Sequence, residues 1–151
     1  MIMSENLRKL VGELTKAFIT HRKCFLQQSQ KHGLYVGQPQ VLSYVRDHQG
    51  CTQNEIAAHL GVSAASIAFS TKRLQNAGLL QKQVNNLNMR CNKLYVTPEG
   101  EEVLNAFRES HDKMNKAMFK GFSEAELEQI EENAKRVYAN LEEFMKEEQD
   151  A

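Results

Sequence analysis

The chain has 151 residues, 41% of them apolar and 25% charged, which is the composition of a globular domain and not of a disordered tail. Its 19 basic and 19 acidic side chains cancel, so the overall charge indicates no partner. No apolar run approaches the roughly 18 residues of a membrane span, and the first residues carry no secretory signal. We therefore expect a cytoplasmic protein that has no membrane partner.

The charge is distributed unevenly along the chain. Residues 50–97 carry a net charge of +4, because the acidic Glu55 is outnumbered by five cations: Lys72, Arg73, Lys82, Arg90 and Lys93. Residues 1–49 also carry +4, and residues 98–151 carry −8. The middle segment is either a surface for a polyanion or a chance run of solvated cations.

Two helices are predicted in the first third of the chain. The first runs from about Ser4 to Lys31, because apolar residues recur at helical spacing: Met3, Leu7, Leu10, Leu14 and Phe18. Pro39 fits the first turn of a second helix, which stops near Gly50.

A helix–turn–helix follows. Thr52 and Glu55 have the spacing of a capping box for a helix over residues 52–60, and Gly61 supplies a tight turn. Ser63 is the predicted N-cap of the next helix, which reaches about residue 77. The residues predicted to pack between the two helices are apolar: Ile56, Ala57, Leu60, Val62 and Ile67.

After Gly78 the pattern changes to two strands, at residues 79–84 and 93–97, joined by a basic tip that holds four asparagines. A long amphipathic helix starts at Pro98 and is broken at Gly121. Ser123 and Glu126 cap a last helix, whose apolar residues form a stripe: Leu127, Ile130, Ala134, Val137, Leu141 and Phe144.

These elements predict a mainly α fold with a small β-hairpin wing. An N-terminal dimerisation helix (1–37), a winged helix–turn–helix (38–97) and C-terminal linking and dimerisation helices (98–151) would form one compact domain. A helix pair of this kind places its second helix in the major groove of DNA, and a basic wing can reach phosphates or the minor groove. Lys72, Lys82 and Lys93 are predicted DNA contacts.

The sequence resembles the MarR family of bacterial transcription regulators. The resemblance lies in Thr52–Ser63, in Lys72-Arg73-Leu74, in Gly78-Leu79-Leu80 and in the wing residues Asn88-Met89-Arg90 and Leu94–Gly100. It implies a homodimeric regulator, a repressor that binds a pseudo-palindromic operator and is released by a small-molecule effector.

The resemblance also implies roles for single residues. Ser63, Ser66 and Ser70 would lie on the recognition helix, Arg73 would hold its C-terminal part, and Arg90 would enter the minor groove. Two departures from the family pattern stand out. The wing carries Asn88 where an acid is usual, and the helix start is rich in alanine, which favours readout of DNA shape and phosphates over base edges.

Effector residues are less specific. The resemblance implies a pocket between the first, second and fifth helices, and the candidate lining residues are Phe18, His21, Phe25, Tyr44 and Phe107. For each of them, a place in the plain core is the more common role. No i, i+4 histidine pair and no early cysteine is present, so no metal, no cofactor and no peroxide sensing are expected.

The chain ends carry the predicted dimer interface: Leu7, Leu10, Leu14, Leu127, Ile130, Val137, Leu141 and Phe144. A last helix that packs on its own subunit is the alternative. An enzyme is not expected, since no phosphate-binding loop and no nucleophile–base spacing are present. The remaining alternative function is a winged-helix adaptor that binds protein and not DNA.

Overall fold

The computed structural model describes residues 4–88 and 91–150. In chain order the elements are α1 (Glu5–Lys31), α2 (Gln38–Asp47), α3 (Gln53–Leu60), α4 (Ala64–Asn76), β1 (Leu80–Gln83), β2 (Lys93–Val96), α5 (Pro98–Met118) and α6 (Glu124–Asp150). This confirms the mainly α class with one small hairpin. Among the described helices, none is long and apolar enough to cross a membrane.

Side-chain caps begin the helices at the predicted residues. The Ser4 hydroxyl accepts from the Leu7 N–H at α1. At α3 the Thr52 hydroxyl accepts from the Glu55 N–H, while the Glu55 carboxylate accepts from the Thr52 N–H, which completes the capping box. Ser123 and Glu126 make the same reciprocal pair at α6.

Helix α2 begins one residue earlier than Pro39 alone indicates. Gly37 is its N-cap with φ 81°, and Gln38 is the first helical residue, so the proline still lies in the first turn. The Gln38 side-chain oxygen accepts from the Tyr35 N–H, which holds the α1–α2 connection in place.

A single apolar core joins the helix–turn–helix to its neighbours. It is built from Leu34, Val41, Leu42, Val45, Ile56, Ala57, Ile67, Leu74, Leu80, Leu94, Leu104 and Phe107. The predicted inward positions Ile56, Ala57 and Ile67 are confirmed. The prediction for Val62 is wrong, because the left-handed turn at Gly61 (φ 64°) leaves its side chain 45% exposed.

The hairpin is anchored at its base and shaped by asparagines at its tip. β1 and β2 pair antiparallel, with Leu80 opposite Val96 and Gln83 opposite Lys93. The Asn92 side chain accepts from the Asn85 N–H, and the Asn85 side chain accepts from the N–H groups of Leu87 and Asn88. The tip therefore has the asparagine turn chemistry that the sequence indicates.

The chain divides into two compact units between Asp112 and Lys113, within α5. The second unit contains α6, and all of its side chains from Glu124 to Gln149 are exposed. Helix α6 therefore presents an exposed apolar stripe.

Candidate nucleic-acid interface

Helix α4 is held by one face and leaves the opposite face open. Ile67, Thr71 and Leu74 are buried on the inner face. The Thr71 hydroxyl donates to the Ile67 carbonyl and accepts from the Gln53 side chain, so a polar contact also ties α4 to α3. At 3.6 residues per turn, residues 65, 69, 72 and 76 lie on the opposite side of the helix.

The three predicted recognition-helix serines are only partly available for contacts. The Ser63 hydroxyl accepts from the Ser66 N–H as the N-cap and lies 2.9 Å from the Ser66 hydroxyl. Ser70 is half-buried, and together with Ser66 it lines an apolar groove bordered by Val36 and Val62. Ser63 thus has a structural role that the resemblance did not imply.

Cations outnumber acids among the described charged side chains of the winged segment. Lys72 and Lys93 are exposed, and Lys82 is half-buried on the hairpin. The acid of this segment, Glu55, is held in the capping box, where hydrogen bonds from the Thr52 N–H and hydroxyl lower the pKa of the carboxyl. The Glu55 carboxylate thus accepts hydrogen bonds at the start of α3. The cations of the winged segment outnumber this one acid.

Arg73 has a packing partner. Its guanidinium lies 3.6 Å from the centroid of the Tyr35 ring and 5.5 Å from that of Phe69. A cation over an aromatic ring is attracted by the ring's negative face, by about 0.5–1 kcal/mol at exposed sites. Arg73 therefore joins α4 to the α1–α2 connection, in keeping with a residue that holds the C-terminal part of the helix.

Sequence reasoning missed Phe69. Its side chain is 64% exposed on the open face of α4, next to Lys72 and Arg73 in the chain. The signal was present in the helical spacing, since Phe69 falls between Ile67 and Thr71 and outside their buried stripe.

The wing is described in part. Asn88 is exposed, and its backbone N–H donates to the Asn85 side chain. Arg90, the predicted minor-groove residue, lies outside the described residues, as does Met89. Leu87 stands 99% exposed near the tip of the wing.

The candidate effector residues do not all lie together. Phe25 and Phe107 meet edge to face, and His111 lies against both rings and 6.4 Å from His21. Tyr44 stacks on His48 and also contacts the His59 ring. Phe18 is 65% exposed. The structure thus gathers His21, Phe25 and Phe107 around His111, a residue that was not among the predicted pocket residues.

The three cysteines occupy different environments. Cys24 is half-buried, Cys91 is exposed on the wing, and Cys51 is buried. Burial raises the pKa of the Cys51 thiol to about 11, with a smaller contribution from the Glu55 carboxylate, so this thiol stays protonated at neutral pH. Within the described ranges, no three histidine, cysteine or acidic side chains are grouped as metal ligands.

Comparisons with known proteins agree with this geometry. Residues 32–86 match the model of the MarR family. The HTH-type transcriptional regulator BilQ of Clostridioides difficile is 28% identical over 130 residues, which is 85% of each chain.

Solved structures share the fold. A crystal structure of a MarR family transcription regulator superposes with a TM-score of 0.76 at 22% identity, covering 92% of this chain and 94% of that one. A mutant of S. aureus MepR, bound to an oligodeoxyribonucleotide, superposes with a TM-score of 0.59 at 22% identity, covering 93% and 99%. The capped helix pair and the hairpin wing are those of a winged helix–turn–helix fold, which solved MarR family regulators share over most of this chain, and residues 32–86 match the MarR family model.

Proposed function

We propose that this regulator is a repressor that binds a pseudo-palindromic operator as a homodimer and leaves it when a small molecule binds. The observation that carries the proposal is the open face of α4 beside an excess of exposed cations. A winged helix–turn–helix with such a face fits the major groove, with the wing over the flanking phosphates.

The contacts are assigned by position and charge. Lys72 on α4 and Lys82 and Lys93 on the hairpin would bind phosphates, Arg90 would enter the minor groove, and Asn88 would contact the DNA backbone beside the wing. Arg73 would position α4 through Tyr35. The DNA-bound state of the structurally similar MepR mutant supports this mode of binding.

Salt dependence is the sharpest test of these contacts. Each phosphate contact that is lost should reduce the slope of log affinity against log salt by about one unit. We expect Lys72→Ala and Arg90→Ala each to weaken binding to a genomic target duplex and to lower this slope, as measured by fluorescence anisotropy. Lys116→Ala, an exposed cation outside the winged segment, is the control and should leave both values unchanged.

The adaptor alternative predicts a different result. A protein-docking surface has no need of counterion release, so an adaptor would bind duplexes weakly and no variant would change the slope. Unchanged affinity in both Lys72→Ala and Arg90→Ala would contradict the DNA-binding assignment.

The dimer proposal rests on exposed apolar side chains in both compact units. In the first unit, Leu7, Leu10 and Leu14 of α1 are exposed; in the second, Leu127, Ile130, Val137, Leu141 and Phe144 of α6 are exposed. Patches of this kind on a monomer mark an interaction surface. A second copy would cover them and hold two recognition helices about one DNA turn, roughly 34 Å, apart.

The effector proposal rests on the aromatic cluster of His21, Phe25 and Phe107 with His111. A flat apolar molecule would find aromatic partners in this cluster. Tyr44 and Phe18 belong to the candidate set by sequence alone. Fractions of a cell extract that release the protein from DNA would be identified by fluorescence anisotropy. We expect neither a chelator nor the Cys24→Ser change to alter that release. Release by zinc or peroxide that a histidine or cysteine variant abolishes would contradict a small organic effector.

A further inference from the structure

The outer face of α4 carries apolar residues in its first half and polar residues in its second half. Opposite the buried Ile67, Thr71 and Leu74 lie Ala65, Phe69, Lys72 and Asn76, at 3.6 residues per turn. Phe69 is at the centre of this face, and its ring is largely exposed. A large aromatic side chain that is left in water at such a position indicates a surface that a partner covers.

The polar side chains near the start of α4 are engaged elsewhere. Ser63 and Ser66 bond to one another, and Ser70 is half-buried. Ala65 ends at its Cβ, so the helix backbone can approach a partner closely on this side. The first half of this face is therefore suited to apolar contact with a partner.

The charges around Phe69 identify the occupant as DNA. Lys72 is exposed one helical turn further along the same face, and the Arg73 guanidinium lies 5.5 Å from the Phe69 ring. An apolar side chain among cations matches a surface that has methyl groups between rows of phosphates. In B-DNA that surface is the major groove, where thymine alone presents a C5-methyl group.

We propose that Phe69 recognises a thymine methyl group in the major groove, and that Ala65, one turn before it, allows the helix to approach closely. Each operator half-site would then carry a thymine opposite α4, and specificity there would come from apolar contact and not from a hydrogen bond. This inference rests on the proposed DNA-binding function and names the base that the recognition helix selects.

Replacing thymine by uracil removes the methyl group and keeps every hydrogen-bonding atom of the base pair. Duplexes would first be selected from a random 30-base-pair pool with the wild-type protein. Each thymine of the selected site would then be replaced by deoxyuridine, one symmetric pair at a time. Burial of one methyl group changes an equilibrium constant about three- to fourfold. We expect one pair of substitutions to weaken binding roughly tenfold, and the other pairs to have little effect.

A protein variant tests whether Phe69 makes the methyl contact. In Phe69→Ala, the thymine and uracil duplexes should bind equally, both more weakly than the wild type binds thymine. Phe122→Ala, an exposed phenylalanine outside the winged segment, is the matched control and should keep the wild-type ratio. Circular dichroism and light scattering check that each variant keeps its helix content and mass.

Three results would overturn the proposal. Equal binding of thymine and uracil duplexes by the wild type would show that no methyl group is read. An undiminished uracil penalty in Phe69→Ala would assign the methyl contact to another residue. A lower mass for Phe69→Ala would make a second copy of the chain the occupant of this face. Failure to select any duplex at all would instead refute the proposed DNA binding itself.

Discussion

Among the described glycines, Gly100 has the least room for a side chain. A Cβ at this position would overlap the Leu79 carbonyl oxygen and lie 2.8 Å from a Val96 side-chain carbon. The Thr97 hydroxyl accepts from the Gly100 N–H and donates to the Gly78 carbonyl, so the start of α5 is bound directly to the start of the hairpin. A glycine here is thus required by space, and it fixes the base of the wing.

We expect Gly100→Ala to lower the free energy of unfolding by about 1–3 kcal/mol, the usual cost of overpacking, because the obstacle is backbone and cannot rotate away. Urea unfolding followed by circular dichroism measures this. Gly12→Ala on α1 is the control: a Cβ there would meet no neighbouring part of the described chain within 4 Å, and alanine favours a helix by up to about 1 kcal/mol. An unchanged free energy of unfolding in Gly100→Ala would contradict the close contact between Gly100 and the Leu79 carbonyl.

At the scale of elements, the helix–turn–helix depends on the capping box of α3. Thr52 and Glu55 satisfy two N–H groups that would otherwise lack partners at the helix start. Because α3 supports α4 through Gln53 and Thr71, a frayed α3 would also loosen the recognition helix.

We expect Thr52→Ala to cost about 1 kcal/mol of stability at neutral pH, measured by urea unfolding. The Thr52 hydrogen bonds lower the pKa of Glu55 in the folded state. Its contribution is therefore present above the unfolded pKa of about 4.3 and is lost as the pH falls through the folded value.

The corresponding pH test uses Glu55→Gln. Between pH 7 and pH 3, the free energy of unfolding of this variant should fall less than that of the wild type. Glu109→Gln, which replaces an exposed acid of α5, should show the same fall as the wild type. If the wild type and Glu55→Gln show the same pH profile, the ionised Glu55 carboxylate does not contribute to the pH dependence of stability.

For the whole molecule, the uncovered stripe of α6 is the dominant feature. Most helices in proteins gain their stability from packing an apolar face, and the side chains of α6 from Glu124 to Gln149 are all exposed. Leu141 and Phe144 are 57% and 58% exposed. A 27-residue helix with this pattern is expected to find its packing partner in another subunit.

We expect Leu141→Glu with Phe144→Glu to reduce the mass in solution from dimer to monomer, because charges would replace two large apolar side chains, each worth roughly 1.5–3 kcal/mol when buried. Light scattering at micromolar concentration measures the mass. Gln129→Glu with Ala139→Glu adds the same charge away from the stripe and should stay dimeric. A dimer that survives the first pair of changes would place the interface elsewhere, and a monomeric wild type would refute the dimer.

The sequence by itself was sufficient for the elements and their order. Helix caps, glycine turns and apolar spacing are local, so Ser4, Thr52, Ser63 and Ser123 marked helix starts that the structure confirms. The basic middle segment and the family resemblance also lie in the sequence alone. Positive φ at Gly61 was predictable because a tight turn between two helices favours glycine.

Only the tertiary structure decided which of these side chains are free to act. Exposure depends on what packs against a residue from distant parts of the chain, and a single sequence does not contain that information directly. Val62 thus proved to be exposed, Arg73 was found stacked on Tyr35, and Phe69 emerged on the open face of α4. Helical spacing restricts each residue to a face, whereas long-range packing determines which face remains available to DNA.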